Sequence, residues 1–303
     1  DGAARLGIID GSDFDHLQLD RDEIYPTLSV SADRIWTIAA GATLPAAVIG
    51  ISPENGQYEL ARSSLSVDVD DGYLSRPQTI TFPTTDDEVA HAFYYPPRNP
   101  DFAGPAEEKP PLLVLSHGGP TAATSPELNL NYQFWTSRGF ALVDVNYRGS
   151  TGYGRDYRNA LQGRWGEVDL DDCINAALYL ADGGHVDGER MAIRGGSAGG
   201  YTTLCALAFS DVFAAGASYF GVGDLEALAT DTHKFESRYL DAMVGVEVPV
   251  GVYANAGTPE DGLGWGGNPG GAARGRGRPR MGTGGSRHAR YPADGRTGHT
   301  ARH

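Results

Sequence analysis

A serine flanked by glycines is the residue of this sequence best suited to nucleophilic chemistry. It lies in the run Gly195-Gly196-Ser197-Ala198-Gly199-Gly200. The pattern predicts a strand over 191–194 and a helix over 201–209, and a G-x-S-x-G turn between a strand and a helix exposes the serine hydroxyl. Gly195 and Gly199 leave room for the strained backbone that this turn requires at Ser197. The N–H of Ala198 would stand at the helix N-terminus, where a developing oxyanion is stabilised.

A glycine-rich turn with an incidental serine would give the same pattern, so a second motif is needed. Residues 111–116 predict a buried strand that runs into His117-Gly118-Gly119-Pro120. α/β-Hydrolases place a second oxyanion donor on a glycine N–H at this point, which predicts that Gly118 or Gly119 supplies it. This fold places its catalytic histidine last in chain order. We therefore expect His117 to hold the loop by hydrogen bonding and not to act as the base.

Together with a third run, these motifs resemble the prolyl oligopeptidase family of serine peptidases, in its acylaminoacyl-peptidase and dipeptidyl-peptidase-like branch. The third run is Asn146-Tyr147-Arg148-Gly149-Ser150-Thr151-Gly152-Tyr153-Gly154. The resemblance covers roughly 78–245 and implies an α/β-hydrolase domain with a β-propeller that admits only short peptides. It also implies Ser197 as the nucleophile, Ala198 and a glycine of Gly118-Gly119 as oxyanion donors, and no metal or organic cofactor. Val222, Leu225 and Leu228 would line an apolar substrate pocket, although core packing accounts equally well for those three.

The chain divides into three parts that differ in their pattern of apolar, polar and turn-forming residues. Residues 1–76 alternate short apolar runs with turn signals, which predicts antiparallel strands and, with the resemblance, the end of a β-propeller. Residues 77–245 alternate strand and helix patterns, which predicts an α/β fold with a mostly parallel sheet opened by an antiparallel pair at 79–82 and 89–95. The acidic residues at the start of a helix over 167–181 are interpreted as complementing the helix dipole. We expect this hydrolase domain to be incomplete and to lack its last strands.

The third part, 246–303, is a tail rich in glycine, arginine and proline. It holds 8 Arg and 4 acidic residues, against 16 basic and 35 acidic residues in 1–245, and it has no Leu, Ile, Val or Phe after Leu263. Such a segment cannot build a core, which predicts disorder. We interpret it as an out-of-frame reading after about Gly245, so that the chain is a truncated or frameshifted piece of a longer product. The alternative is a glycine–arginine segment at 274–280 that binds RNA.

The residues that should complete a catalytic triad fall in this tail. Asp294 and His299 occur in the order that the fold requires, with His288 and His303 nearby, but no patterned strand or helix holds them near Ser197. We therefore expect a serine-type peptidase that hydrolyses short peptides by acyl transfer and is catalytically impaired as written. A carboxylesterase on the same fold and a noncatalytic fragment that acts only by binding are the alternatives.

Composition excludes several other classes of protein. The net charge of −15 argues against a nucleic-acid partner, and the sequence has no run of eighteen apolar residues that would span a membrane. Cys173 and Cys205 stand far apart and do not suggest a disulfide framework, so a reducing cytoplasm is the expected location. A short peptide is the expected partner, and the sequence is compatible with a homo-oligomer.

Overall fold

The computed structural model describes residues 4–10, 12–66, 69–223, 225 and 243 of the chain. All of them fall within one compact unit, Asp1–Ala256. The tail at 246–303, with its frameshift or RNA-binding interpretations, lies outside the described residues. Among those that are described, no helix is long and apolar enough to cross a membrane.

Short antiparallel strands make up the N-terminal part of the described chain. They are β1 (Gly7–Asp10), β2 (Asp13–His16), β3 (Glu23–Ile24), β4 (Ser29–Val30), β5 (Ile35–Ala40), β6 (Ala47–Ile51) and β7 (Tyr58–Ser63). β1 and β2 form a hairpin, and the larger sheet has the order β3-β5-β6-β7 with β4 also paired to β5. Ala47, Ile49 and Ile51 alternate along β6 toward a small apolar core, as expected for a sheet with one buried face.

The expected antiparallel strands of this part are confirmed, except that the sequence pattern missed β2 and β3. β2 reads Asp-Phe-Asp-His and is exposed along its length, so it has no apolar alternation that a pattern could register. β3 contains only two residues. β2 is defined by its hairpin pairing with β1 and β3 by its pairing with β5, rather than by their own composition.

A second, six-stranded sheet carries the larger core. Its strands are β8 (Gln78–Pro83), β9 (Val89–Tyr95), β10 (Leu112–Ser116), β11 (Ala141–Asn146), β12 (Met191–Gly196) and β13 (Ala215–Tyr219). They lie in the order β13-β12-β10-β11-β9-β8. The four strands β10 to β13 run parallel, and β8 and β9 form the predicted antiparallel pair at the start.

Helices connect these strands and cover the sheet. They are α1 (Leu130–Thr136), α2 (Arg155–Asn159), α3 (Val168–Asp182) and α4 (Ala198–Phe209). All residues of β10 and β11 are buried, because a parallel strand is covered by helices on both faces of the sheet. This arrangement confirms the predicted α/β class. The helix α4 begins three residues earlier than predicted: Gly199 and Gly200 are poor helix formers, but tertiary packing against β12 and β13 outweighs that propensity.

The acidic start of α3 requires a correction to the dipole interpretation. Asp169 and Asp172 are fully buried and accept hydrogen bonds from distant parts of the fold. Asp169 binds the Gly166 N–H at 2.6 Å and the Thr202 hydroxyl of α4. Asp172 pairs with Arg148 at 2.9 Å. These two carboxylates therefore join elements of the tertiary structure, which the local dipole argument did not anticipate.

Candidate active site

Ser197 occupies the sharp turn between β12 and α4. Its backbone has φ 54° and ψ −117°, a region that L-residues rarely adopt and that costs on the order of 1–3 kcal/mol. Its N–H donates to the Tyr219 carbonyl at 2.9 Å, and its carbonyl accepts from the Tyr201 N–H at 3.1 Å. The residue is exposed, while Ala198 beside it is buried. The fold thus presents this hydroxyl to solvent from a rigid, strained turn.

Two glycines make this turn possible because other backbone passes very close to them. A Cβ built on Gly199 would lie 2.0 Å from the Ser116 carbonyl oxygen, and one on Gly195 would lie 2.2 Å from the Gly199 oxygen. The strand end of β10 therefore packs directly on the turn. The sequence argument that Gly195 and Gly199 leave room for Ser197 agrees with these distances.

The loop that follows β10 lies beside the serine. A Cβ built on Gly118 would be 3.5 Å from the Ser197 Cβ and 3.2 Å from the Gly196 oxygen. The backbone N–H groups of Gly118, Gly119 and Ala198 donate to no acceptor among the described residues. The structure therefore brings together the two glycine-rich motifs, which are about eighty residues apart in the sequence, and leaves amide donors available near the hydroxyl.

His117 holds this loop in place. Its Nδ1 lies 2.8 Å from the Gly118 carbonyl oxygen, and its Nε2 lies 2.8 Å from the Ser150 hydroxyl. The ring stacks on Tyr147 with a centroid distance of 4.2 Å. Burial lowers the pKa of His117 to about 4. Both ring nitrogens are engaged away from Ser197, and a partly buried neutral imidazole with these partners fits the loop-holding role expected from the sequence.

Side chains at the end of β11 and just after it hold the rest of the loop in place. The Tyr147 hydroxyl donates to the carbonyl oxygens of His117 at 3.1 Å and Pro120 at 3.2 Å. Asn146 accepts from the Thr124 N–H at 2.8 Å. The loop is therefore held along its length by side chains of the Asn146-Tyr147 segment.

A buried carboxylate anchors the far end of the same loop. Asp144 on β11 accepts hydrogen bonds from the Thr124 hydroxyl and, at 2.5 Å, from the Tyr132 hydroxyl. Complete burial raises the pKa of Asp144 to about 6, because desolvation disfavours the charged form. Sequence reasoning missed this residue, since an aspartate inside an apolar strand gives no local sign of its partners.

The Arg148–Asp172 pair links three parts of the domain that carries the six-stranded sheet. Both side chains are buried, with Nη2 of Arg148 2.9 Å from Oδ1 of Asp172. The Thr84 hydroxyl also donates to Asp172 at 2.6 Å, and the Thr85 hydroxyl accepts from Arg148 at 2.8 Å. Arg148 was identified from the sequence only as part of the motif at 146–154, and no partner was predicted for it. Its role as a buried cross-link between β11, α3 and the turn after β8 emerges from the tertiary structure.

The remaining sequence-derived site residues fall into two groups. Val222 and Leu225 are partly buried and pack against the main core, so they are positioned by packing just beyond the strand next to Ser197. Leu228 lies outside the described residues. So do the tail residues Asp294 and His299, and with them His288 and His303. Within the described part of the chain, no side chain hydrogen-bonds to the Ser197 hydroxyl.

Comparison with known proteins shows which family this chain resembles. Residues 126–255 match the model of the prolyl oligopeptidase family. Among curated proteins, dipeptidyl aminopeptidase BIII of Pseudoxanthomonas mexicana is 37% identical over 141 residues, which are 46% of this chain and 20% of that protein. Acylamino-acid-releasing enzyme 2 of Oryza sativa subsp. japonica is 39% identical over 98 residues, 32% of this chain and 13% of that enzyme.

A solved structure extends the similarity to the N-terminal strands. The structure of a Mycobacterium tuberculosis puromycin-hydrolyzing peptidase matches with a TM-score of 0.80 and 42% identity over 84% of this chain and 40% of that one. The chain thus spans a fifth or less of these two curated relatives and two fifths of the solved structure. The predicted family resemblance is confirmed, as is the fold: a partial α/β-hydrolase domain preceded by the end of a β-propeller.

Proposed function

We propose that this chain belongs to the prolyl oligopeptidase family and carries the nucleophile and oxyanion hole of a serine-type peptidase. In this proposal, residues 1–76 end a propeller and residues 77–245 form the peptidase domain. The Ser197 hydroxyl attacks the carbonyl carbon of a short peptide, and a base accepts its proton. The tetrahedral oxyanion is stabilised by the N–H of Ala198 and by that of Gly118 or Gly119, and water then releases the acyl group from Ser197.

The observation that carries the proposal is the exposed, strained Ser197 next to unengaged amide donors. An exposed serine at φ 54° with Gly118 beside it fits the geometry that acyl transfer needs, because donors fixed before the reaction stabilise charge without reorganisation. Removing one such donor in other enzymes costs about 3 kcal/mol of transition-state stabilisation. A turn with an incidental serine would have no need for this strain.

The described residues do not include a base in contact with Ser197. His117 is engaged on both ring nitrogens, and the Asp and His of the triad remain unassigned. Loss of a triad histidine costs about a millionfold in turnover when the rest of the site is intact. We therefore propose low activity for this chain, short peptides as its substrates, Val222, Leu225 and Leu228 as a substrate pocket, and the cytoplasm as its location.

Labelling with a fluorophosphonate probe tests the nucleophile directly. We expect weak labelling of this chain, and an increase at Ser197 when imidazole is added, because a small base can then accept the Ser197 proton, which no described side chain is placed to do. Ser197→Ala should abolish the signal, and Ser31→Ala, which alters an exposed serine far from the turn, should not. Strong labelling without imidazole would contradict the proposed low activity. Labelling unchanged in Ser197→Ala would contradict the assignment of the nucleophile.

Substrate class requires a second comparison. The same nucleophile and oxyanion hole would also serve a carboxylesterase, so a peptidyl anilide should be compared with a short acyl ester under the imidazole condition. Turnover of the anilide that depends on Ser197 supports a peptidase. Turnover of the ester alone would favour the esterase, and no labelling under either condition would favour a fragment that acts only by binding.

A further inference from the structure

A cavity of about 550 Å³ lies between the N-terminal strands and the start of the six-stranded sheet. The N-terminal wall comes from residues 4–6 and from side chains near β2 and β3. Arg76, Pro77 and Phe93 form the opposite wall. A space of this size is within the usual range of small-molecule sites and would hold a dipeptide or a compound of similar size. None of its lining residues belongs to the Ser197 turn, and Pro126 is the lining residue that comes from the loop between β10 and α1.

Positive charge is concentrated in the lining. Arg21 and Arg76 contribute two guanidinium groups. The acidic residue in the lining is Asp22, whose Oδ2 already accepts a hydrogen bond from the Ala42 N–H at 2.8 Å. This excess contrasts with residues 1–245 as a whole, where 35 acidic residues outnumber 16 basic ones. The solubility of so acidic a chain does not explain why arginines line a cavity. Arginines that are grouped in a cavity attract anions.

Arg21 gives this cavity a fixed guanidinium. Its side chain is 4% exposed, and its Nη1 donates to the Pro45 carbonyl at 2.8 Å. The guanidinium carbon lies 5.6 Å from the centre of the Tyr58 ring, and the nearest carboxylate oxygen of Asp20 is 3.9 Å from Nε. The Arg21 Nε is buried and has no hydrogen-bond partner among the described residues, so this guanidinium, with its nearest carboxylate at 3.9 Å, can still act on an anion in the cavity.

We propose that this cavity binds a small organic anion through carboxylate or phosphate oxygens. Arg76, exposed at the rim, would supply a direct charge-assisted hydrogen bond, while Arg21 contributes a fixed positive field from the wall. Guanidinium groups suit both anions because their planar N–H donors match two oxygens of a carboxylate or a phosphate. An anion bound here would contact both sheets at once and stabilise their packing. The proposal does not depend on the activity of Ser197.

Calorimetric titration of the full chain at low ionic strength tests the site. The probes are the dipeptide Ala-Ala, its C-terminal amide and inorganic phosphate. We expect Ala-Ala or phosphate to bind and the amide to fail, since the amide lacks the anionic oxygens. Binding of Ala-Ala alone would identify a peptide carboxylate as the ligand group, and binding of phosphate alone would identify a phosphate. Equal binding of the acid and the amide, or no binding of either anion, would overturn the proposal.

Variants separate the site from general charge attraction. Arg76→Gln should weaken anion binding about tenfold, the equivalent of about 1.4 kcal/mol, without disturbing the fold, because this side chain is exposed. Arg158→Gln removes an exposed arginine of α2 outside the cavity and should leave the affinity unchanged. Ser197→Ala should also leave it unchanged. Equal losses in the Arg76 and Arg158 variants would show non-specific attraction and refute the site.

Discussion

Replacing Gly199 by alanine should destabilise the domain more than an ordinary glycine-to-alanine change. The new Cβ would lie 2.0 Å from the Ser116 oxygen, 2.6 Å from the Ser116 carbonyl carbon and 2.7 Å from the His117 oxygen. Ordinary contacts begin at 3.4 Å, so the turn and the end of β10 would have to separate by about 1.4 Å. Side chains cannot relieve the clash by changing rotamer, because all three obstacles are backbone atoms.

The magnitude follows from where those atoms are. Overpacking a core costs about 1–3 kcal/mol when side chains can adjust. Here the obstacle is the central buried strand of the sheet, so we expect Gly199→Ala to lose about 3 kcal/mol or more of unfolding free energy. Urea-induced unfolding, followed by tryptophan fluorescence and far-ultraviolet circular dichroism, measures this loss.

Gly196 provides the matched control because it lies in the same turn, three residues before Gly199. A Cβ on Gly196 would meet nothing nearer than the Tyr219 oxygen at 3.7 Å, so Gly196→Ala should stay within about 1 kcal/mol of the parent protein. If Gly199→Ala unfolds within 1 kcal/mol of Gly196→Ala, the close packing of β10 on the turn is wrong. The argument that this glycine makes room for the serine then fails with it.

Three further predictions concern buried polar groups. Burial raises the pKa of Asp169 to about 6, so the fold favours the protonated carboxyl. The stabilisation from this group is therefore complete below about pH 4 and is lost as the pH rises through 6. The free energy of unfolding falls by up to about 3 kcal/mol over this range. Asp169→Asn should therefore flatten the stability profile between pH 4 and 7 measured by urea unfolding; an unchanged slope would contradict the assignment. Arg148→Met leaves Asp172 buried without its cation and should cost about 3–5 kcal/mol, whereas a loss below 1 kcal/mol in thermal or urea unfolding would show that the pair is not a cross-link. Tyr147→Phe removes a donor to two loop carbonyls and should lower the free energy of unfolding by about 1–2 kcal/mol, with faster hydrogen exchange in residues 117–124. Unchanged exchange would show that the Tyr147 hydroxyl does not hold the loop.

Much of the element order could be predicted from sequence because it depends on local pattern. The strand predicted over 111–116 and the helix predicted over 167–181 agree with β10 and α3 within one residue at each end. Continuous apolar runs and helical spacing are signals that a short window contains. Polar elements such as β2 and α2 were missed for the same reason: their residues carry no apolar period, and they form because neighbouring chain pairs with or covers them.

The residues of the site show the same distinction between what a local pattern predicts and what depends on distant contacts. Ser197, its glycines and the strand-to-helix turn are encoded within about ten consecutive residues, so the sequence alone determined that this serine is a nucleophile candidate. Contacts over long sequence distances could not be predicted in that way. The Thr84 hydroxyl meets Asp172 across 88 residues, and Gly118 reaches Ser197 only because β10 and β12 are neighbours in the sheet.

The sequence therefore determined the local conformations and the types of reactive group, and the tertiary structure decided which groups meet. It placed His117 against Ser150, turned the acids of α3 inward to Arg148 and Thr202, and gathered arginines around a cavity between two sheets. The physical reason is that backbone strain and periodicity act over a few residues. Desolvation and hydrogen-bond pairing act between whatever side chains the packed sheets bring together.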